Sequence, residues 1–232
     1  LYPHCYHRRW GENGRLYWMY FEYGEKETEY LKSKDVRLAE VIEKVEHTNR
    51  AVDSDLFSSV VHHIIGQQIS TKAQHTIWQR MNDTFGKVTA ETIGNASAGE
   101  LQALGMTYRK AEYIKEFSMK IINGEFDLAA VELMSDEDAI SALVSLKGIG
   151  VWTAEMILLF CLQRPNILSY DDLAIQRGMR MVYHLRKIDK KLFEKYRRRL
   201  SPYCSVASLY FWAVAGGAIP EMKDYASKKN SK

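Results

Sequence analysis

Leu146-Lys147-Gly148-Ile149-Gly150-Val151-Trp152-Thr153-Ala154 is the stretch that decides the fold. Two glycines one residue apart separate two helical patterns. One is opened by Ser135 and runs to Leu146; the other is almost wholly apolar from Val151 to Cys161. Glycine accepts positive φ and lets another backbone come close, so the pattern predicts a tight turn between two helices. The second helix starts at once, and its first N–H groups point outward from a positive dipole end. That geometry takes up an anion, such as a nucleic-acid phosphate, without reading sequence. Ile149 would anchor the turn into the helix pair. Taken alone, the glycines also fit an ordinary helix–helix connection.

Working outward, the chain reads as helical nearly throughout. Asp35 to Val45 is amphipathic through Leu38, Val41 and Ile42. Leu56 to Gly66 carries the stripe Phe57, Val60, Val61, Ile64 and Ile65. Ser70 opens another helix, and Ser97-Ala-Gly-Glu100 has the form of a capping box. Tyr108 to Ile122, Leu173 to Leu185, Lys190 to Leu200 and Ser205 to Ala215 complete the set. Pro165, Pro202 and Pro220 fall between helical segments, where helices break. A short extended stretch is expected at Trp18 to Tyr23, with no hairpin signal anywhere. Residues 1–18 read as an extension, with Met19 as a candidate natural start.

The 232 residues give ample material for a core, and 46% of them are hydrophobic. The longest apolar run of interest, Met156 to Cys161, is far too short to span a membrane. Cys5, Cys161 and Cys204 are scattered, with neither a disulfide framework nor a metal-binding spacing. No secretory signal pattern opens the chain, so a reducing, cytoplasmic setting is the expectation. The net charge of +3 hides an asymmetry: residues 176–200 carry about +8 and the remainder about −5. Such a field suits a polyanion, and equally a solvated helix face.

At this point a resemblance becomes specific. Leu146 to Ala154 resembles the helix-hairpin-helix motif of the base-excision DNA glycosylase superfamily. About twenty residues further on, that superfamily places an aspartate at the head of a helix, and Ser169-Tyr170-Asp171-Asp172-Leu173-Ala174-Ile175-Gln176-Arg177 stands there. Ile64-Ile65-Gly66-Gln67-Gln68-Ile69-Ser70, Gly105-Met106-Thr107-Tyr108-Arg109-Lys110-Ala111 and Pro202-Tyr203-Cys204-Ser205-Val206-Ala207 agree as well. The branch it resembles is the 3-methyladenine DNA glycosylase II type, over roughly residues 28–220.

The resemblance implies an all-α protein of two helical lobes with an active-site cleft between them. Residues 1–30 would be an N-terminal extension. Residues 53–160 would form the lobe with the hairpin, and 31–52 plus 161–232 the lobe with the catalytic aspartate. The implied activity is monofunctional hydrolysis of the N-glycosidic bond of alkylated purines (3-methyladenine, 7-methylguanine) in duplex DNA. A flipped base would be excised in base-excision repair. Breaking the C1′–N bond builds positive charge on the sugar, and a carboxylate beside C1′ stabilises it and steers water. The motif match puts that role on Asp172. Asp171 is the rival, and an aspartate here is also a good helix N-cap. Relatives that cut the strand carry a lysine where this chain has Trp152, so no Schiff-base nucleophile is expected.

Trp152 and Trp212 match pocket aromatics that would stack on a cationic base, with Tyr210 a weaker candidate. Gln68, or secondarily Gln67, matches the wedge that fills the gap left by the flipped base. Ser70, Gly148, Gly150, Thr153 and Arg177 are the remaining DNA-binding candidates. The carbonyls of Val144, Leu146 and Ile149 match those that hold a structural sodium or potassium ion in the family. No cofactor is required, and the four cysteines of an iron–sulfur loop are missing. Cys204 stands where relatives usually have arginine. His62 and His63, adjacent on a helix and about 100° apart, cannot easily share one ion. The expected partner is double-stranded DNA with damaged bases, met by a nucleoid-associated monomer with no membrane attachment. Two rivals stay open: a glycosylase for uracil or a mismatched base, and a non-catalytic module using the hairpin as a phosphate clamp.

Overall fold

A computed structural model describes residues 20–53 and 55–226, together with the backbone of 8–10 and 16–18. Strands β1 (Arg8–Trp10) and β2 (Leu16–Trp18) pair antiparallel, Arg8 opposite Trp18 and Trp10 opposite Leu16. This pair corrects the expectation of no hairpin; of the extended stretch expected at Trp18 to Tyr23, Trp18 ends β2 and Tyr20 forms a β-bridge. Strands of three residues are too short to display a period of two. The candidate start at Met19 lies outside the described residues.

The rest is helical: α1 (Glu25–Lys34), α2 (Val36–Val45), α3 (Leu56–Gly66), α4 (Thr71–Phe85), α5 (Ala90–Asn95), α6 (Ala98–Ala103), α7 (Tyr108–Ile122), α8 (Leu128–Leu133), α9 (Asp136–Val144), α10 (Val151–Phe160), α11 (Leu173–Tyr183), α12 (Lys190–Leu200) and α13 (Cys204–Ala215). The all-α class expected from the sequence is the one observed. Helix α1 opens inside the segment read as an extension to residue 30. Among the described residues, no helix is long and apolar enough to cross a membrane.

The described helices fall into two compact units, one of 20–50 with 163–226, the other of 51–162. In the first, α13 is buried along most of its length and packs on α11. Gly178 of α11 makes that approach possible: a Cβ there would stand 2.1 Å from the Phe211 carbonyl oxygen of α13. In the second, α3 packs against α4, α7 and α10. Its buried face includes Phe57, which stacks on Phe117 of α7 at 5.2 Å. Each such buried apolar side chain contributes roughly 1.5–3 kcal/mol.

Ten of the thirteen helices among the described residues begin with an aspartate, serine or threonine whose side chain accepts a first-turn N–H. Such a cap satisfies one of the donors that a helix start leaves over. The exceptions are α1, α10 and α13. Helix α10 is the one that follows the two-glycine turn, so no side-chain cap covers its first turn.

Candidate active site

Asp172 is the N-cap of α11. It is 5% exposed, and its Oδ1 accepts the Ile175 N–H at 2.8 Å. The same oxygen accepts the indole N–H of Trp212, on α13, at 3.1 Å. Asp171, the rival, is exposed, and the cap belongs to its neighbour. The cap and the candidate catalytic position therefore coincide on Asp172. The loop leading to Asp172 is fixed by two buried serines of α13. Ser205 Oγ accepts the Ile167 N–H at 2.9 Å and donates to the Arg164 carbonyl. Ser208 Oγ donates to the Ile167 carbonyl at 3.0 Å. Gln176 Nε2 reaches back to the Tyr170 carbonyl at 2.6 Å. Helix α13 thus supplies the Trp212 donor and the two serine supports of the approach loop, and α11 supplies Gln176.

Trp212 is itself buried, and the Arg50 guanidinium lies 5.6 Å from its ring centroid, a cation–π distance. Tyr210, the weaker pocket candidate, is packed more deeply than Trp212. It is fully buried, its hydroxyl donates to the Glu46 carbonyl at 2.9 Å, and Tyr23 meets it edge-on. Burial pushes its phenol well above the ordinary tyrosine value. It belongs to the core: an apolar helix buried on all sides gives no sequence signal separating packing aromatics from pocket aromatics. Arg177 is exposed on α11. Cys204 is buried and its thiol donates to the Arg197 carbonyl at the end of α12.

In the other unit the two-glycine turn has the expected form. Gly148 has φ +86°, and a Cβ there would stand 2.6 Å from the Tyr113 ring of α7. Ile149 is buried and its N–H closes the turn on the Leu146 carbonyl at 3.1 Å. Gly150, the N-cap of α10, has an open space where a Cβ would go. Lys147 pairs with Glu116 at 2.7 Å, and that contact raises its ammonium above the ordinary lysine value. Trp152 is half-buried on the first turn of α10. Thr153, a DNA-binding candidate, is buried. The spacing placed it beside the turn, but the helix phase turns it inward.

The carbonyls of Val144 and Ile149 accept no backbone hydrogen bond among the described residues, and that of Leu146 accepts one of the two it can take. These hard oxygen donors fit a sodium or potassium ion in chemistry.

The loop between α3 and α4 separates the two wedge candidates. Gln67 is half-buried, and its Nε2 donates to the Gly148 carbonyl at 2.5 Å. Gln68 is exposed with φ +57°, a left-handed conformation uncommon outside glycine. Ser70 caps α4 through the Ala73 N–H at 3.3 Å. Lys110 of α7, for which the sequence suggested no role, donates to the carbonyls of Ile65 at 2.8 Å and Gln67 at 2.5 Å. Burial holds its ammonium below the ordinary lysine value. Nothing local marks it, because its acceptors lie more than forty residues away in the chain.

His62 and His63 come closer to a shared site than helix geometry suggested. Ring nitrogens of both and a carboxylate oxygen of Asp53 lie within 4.8 Å of one another. Hydrogen bonds to Ser59 engage His63 and Asp53. His63 Nδ1 is 2.9 Å from the Ser59 carbonyl, which makes it the protonated nitrogen, and Asp53 Oδ2 accepts the Ser59 hydroxyl at 2.5 Å. His62 packs edge-on against Trp78 at 5.0 Å. The cluster reads as a buried hydrogen-bonded anchor for α3.

The site residues thus form two sets, Asp172 and Trp212 in one unit, the turn and the α3–α4 loop in the other. The sequence model of the HhH-GPD superfamily base excision DNA repair proteins matches residues 61–202, a span that takes in both sets apart from Trp212. The chain belongs to that superfamily. Several of its relatives are named as 3-methyladenine glycosylases. It is 32% identical to a DNA-3-methyladenine glycosidase from Bacillus halodurans, whose crystal structure it matches with a TM-score of 0.78 over 89% of this chain and 97% of that one. The 3-methyladenine DNA glycosylase Mag1 of Schizosaccharomyces pombe, solved in complex with abasic DNA, is 27% identical with a TM-score of 0.72, over 82% of this chain and 97% of that one. The Bacillus subtilis (strain 168) protein named "Putative DNA-3-methyladenine glycosylase YfjP" is 30% identical over 184 residues, 75% of this chain and 64% of its own length.

Proposed function

We propose that this protein is a monofunctional DNA glycosylase that hydrolyses the N-glycosidic bond of alkylated purines in duplex DNA, in base-excision repair. The observation that carries this reading is Asp172: a buried carboxylate at the head of α11, oriented by N–H groups from its own helix and from Trp212. Burying a carboxylate is costly, and placing one against a developing oxocarbenium ion gives that cost a use. The names of the relatives, and the abasic DNA bound to one of them, support the substrate class.

The roles follow from the chemistry. An alkylated purine is a good leaving group, so the enzyme needs no strong acid to protonate it. The base leaves the stack, and the half-buried Trp152 offers a ring for its cationic face. Gln68 fills the gap it leaves. The turn from Gly148 to Val151 takes a phosphate through backbone N–H groups, with Arg177 and the Ser70 region as further contacts. Asp172 stabilises the sugar cation and orients water. Trp152 stands where strand-cutting relatives carry the Schiff-base lysine, and the hairpin's one lysine, Lys147, pairs with Glu116. A sodium or potassium ion held by the carbonyls of Val144, Leu146 and Ile149 would add positive charge near the phosphate. No other cofactor enters the reading, and the enzyme acts as a monomer on the chromosome.

Release of free bases from methylated duplex DNA, followed by chromatography, tests the assignment. The protein is expected to liberate 3-methyladenine or 7-methylguanine and to leave the strand uncut until alkali is added. Release of uracil or a mismatched base, but of no methylated purine, would transfer the activity to the first rival. Binding to DNA with no release from any of these duplexes would favour the phosphate-clamp module.

A further inference from the structure

The α3–α4 loop and the two-glycine turn are joined by one short chain of hydrogen bonds. Lys110 Nζ, on the first turn of α7, donates to the carbonyls of Ile65 and Gln67 at the C-terminal end of α3. A cation there satisfies carbonyls that the helix leaves over and sits at the negative end of its dipole. Gln67 then passes the connection on, its Nε2 donating to the Gly148 carbonyl. Gly148 in turn rests against Tyr113, one turn beyond Lys110 on α7, and the Tyr113 hydroxyl accepts from Arg109 Nε at 2.5 Å. Helix α7 therefore braces both loops at once.

The residue that follows Gln67 is the strained one. Gln68 holds φ +57° while exposed, a conformation that costs a non-glycine residue free energy and persists when its surroundings over-determine it. The surroundings here are the Lys110 and Gly148 bonds on either side of the Gln67 peptide. We infer that Lys110 and Gln67 are positioning residues: they hold Gln68 out at a fixed register to the phosphate-binding turn, so that docking of the turn on a phosphate delivers Gln68 to the vacated base position. The inference rests on the glycosylase reading for the task of Gln68. The brace itself stands on the geometry.

Duplexes with and without a single abasic site test it, with wild type, Lys110→Met, Gln67→Leu, Gln68→Ala and the double variant Lys110→Met/Gln68→Ala. Wild type should prefer the abasic duplex. Lys110→Met and Gln67→Leu should each lose that preference by about tenfold, as Gln68→Ala does, with affinity for intact duplex kept. The double variant should be no worse than Gln68→Ala alone, and Lys110→Arg, which keeps donors for both carbonyls, should restore the preference. A Lys110→Met that keeps its preference, or whose loss adds to that of Gln68→Ala, would overturn the positioning role. So would equal losses on both duplexes, the mark of a general structural defect. Base release by wild type is scored separately. If the preference behaves as described while no methylated base is released, the brace stands and the alkylpurine reading falls.

Discussion

The indole of Trp212 donates to the carboxylate that the account makes central, and its ring meets Arg50. At the scale of a residue, this makes Trp212 a partner of Asp172 as well as an aromatic surface. Trp212→Phe keeps a ring and removes the N–H. We expect single-turnover base release to fall by about ten- to a hundredfold with DNA affinity unchanged, since a hydrogen bond to a charged group is worth roughly 1.5–3 kcal/mol. An unchanged rate would reduce Trp212 to packing. The sequence singled out Asp172 and Trp212 but not their contact, because forty positions separate them. Tyr210 shows the opposite limit. On an almost wholly apolar helix, residue type alone does not tell which aromatic faces a cavity, and this one gives its hydroxyl to a backbone carbonyl.

Among elements, glycines divide by what surrounds them. Gly178 lets α11 touch the α13 backbone, so Gly178→Ala must push the helices apart and should lower stability by roughly 3 kcal/mol. Gly148→Ala meets both a positive φ and the Tyr113 ring. Gly150, with ordinary φ and open space, should accept alanine with little change in melting temperature. Thermal unfolding of the three variants reads this order, and a Gly150→Ala variant as unstable as Gly178→Ala would contradict it. Most helices were legible from an apolar stripe, as in α2 and α3, or from a cap at the start, as in α6 and α9. The pieces missed were α1, α5 and α8, which are short or strongly polar. The turn was legible as a turn, whereas its brace through Lys110 and Gln67 arises only from tertiary contact.

For the whole molecule, the basic stretch of the sequence carries less free charge than its composition suggests. Arg180 pairs with Asp224, Arg197 with Glu194 and Arg199 with Asp35, two of these acids coming from distant parts of the chain. The Arg180–Asp224 pair ties the C-terminal segment to α11 through two hydrogen bonds of 2.8 and 2.6 Å. The guanidinium holds the Asp224 carboxyl below its ordinary value. A depressed carboxyl contributes stability above its unfolded value of about 3.9, and that contribution is lost as pH falls through the lower folded value. Asp224→Asn should therefore cost roughly 1 kcal/mol near neutral pH, with the difference from wild type closing in strong acid. Urea unfolding at pH 7 and in strong acid measures it, and a gap that widened in acid would refute the pairing. Such cross-chain pairs explain why charge counting along the sequence could not settle between a polyanion-binding surface and a solvated face.

The central claim is that Asp172 is the group that makes glycosidic cleavage possible. The most direct measurement is single-turnover release of methylated purines by Asp172→Asn, with duplex binding followed in parallel. Asparagine keeps an oxygen for the Ile175 and Trp212 N–H groups, so the fold is preserved while the charge is removed. Release should fall at least about a hundredfold with DNA binding retained. Release at the wild-type rate would contradict it and move the chemistry to another carboxylate, Asp171 first.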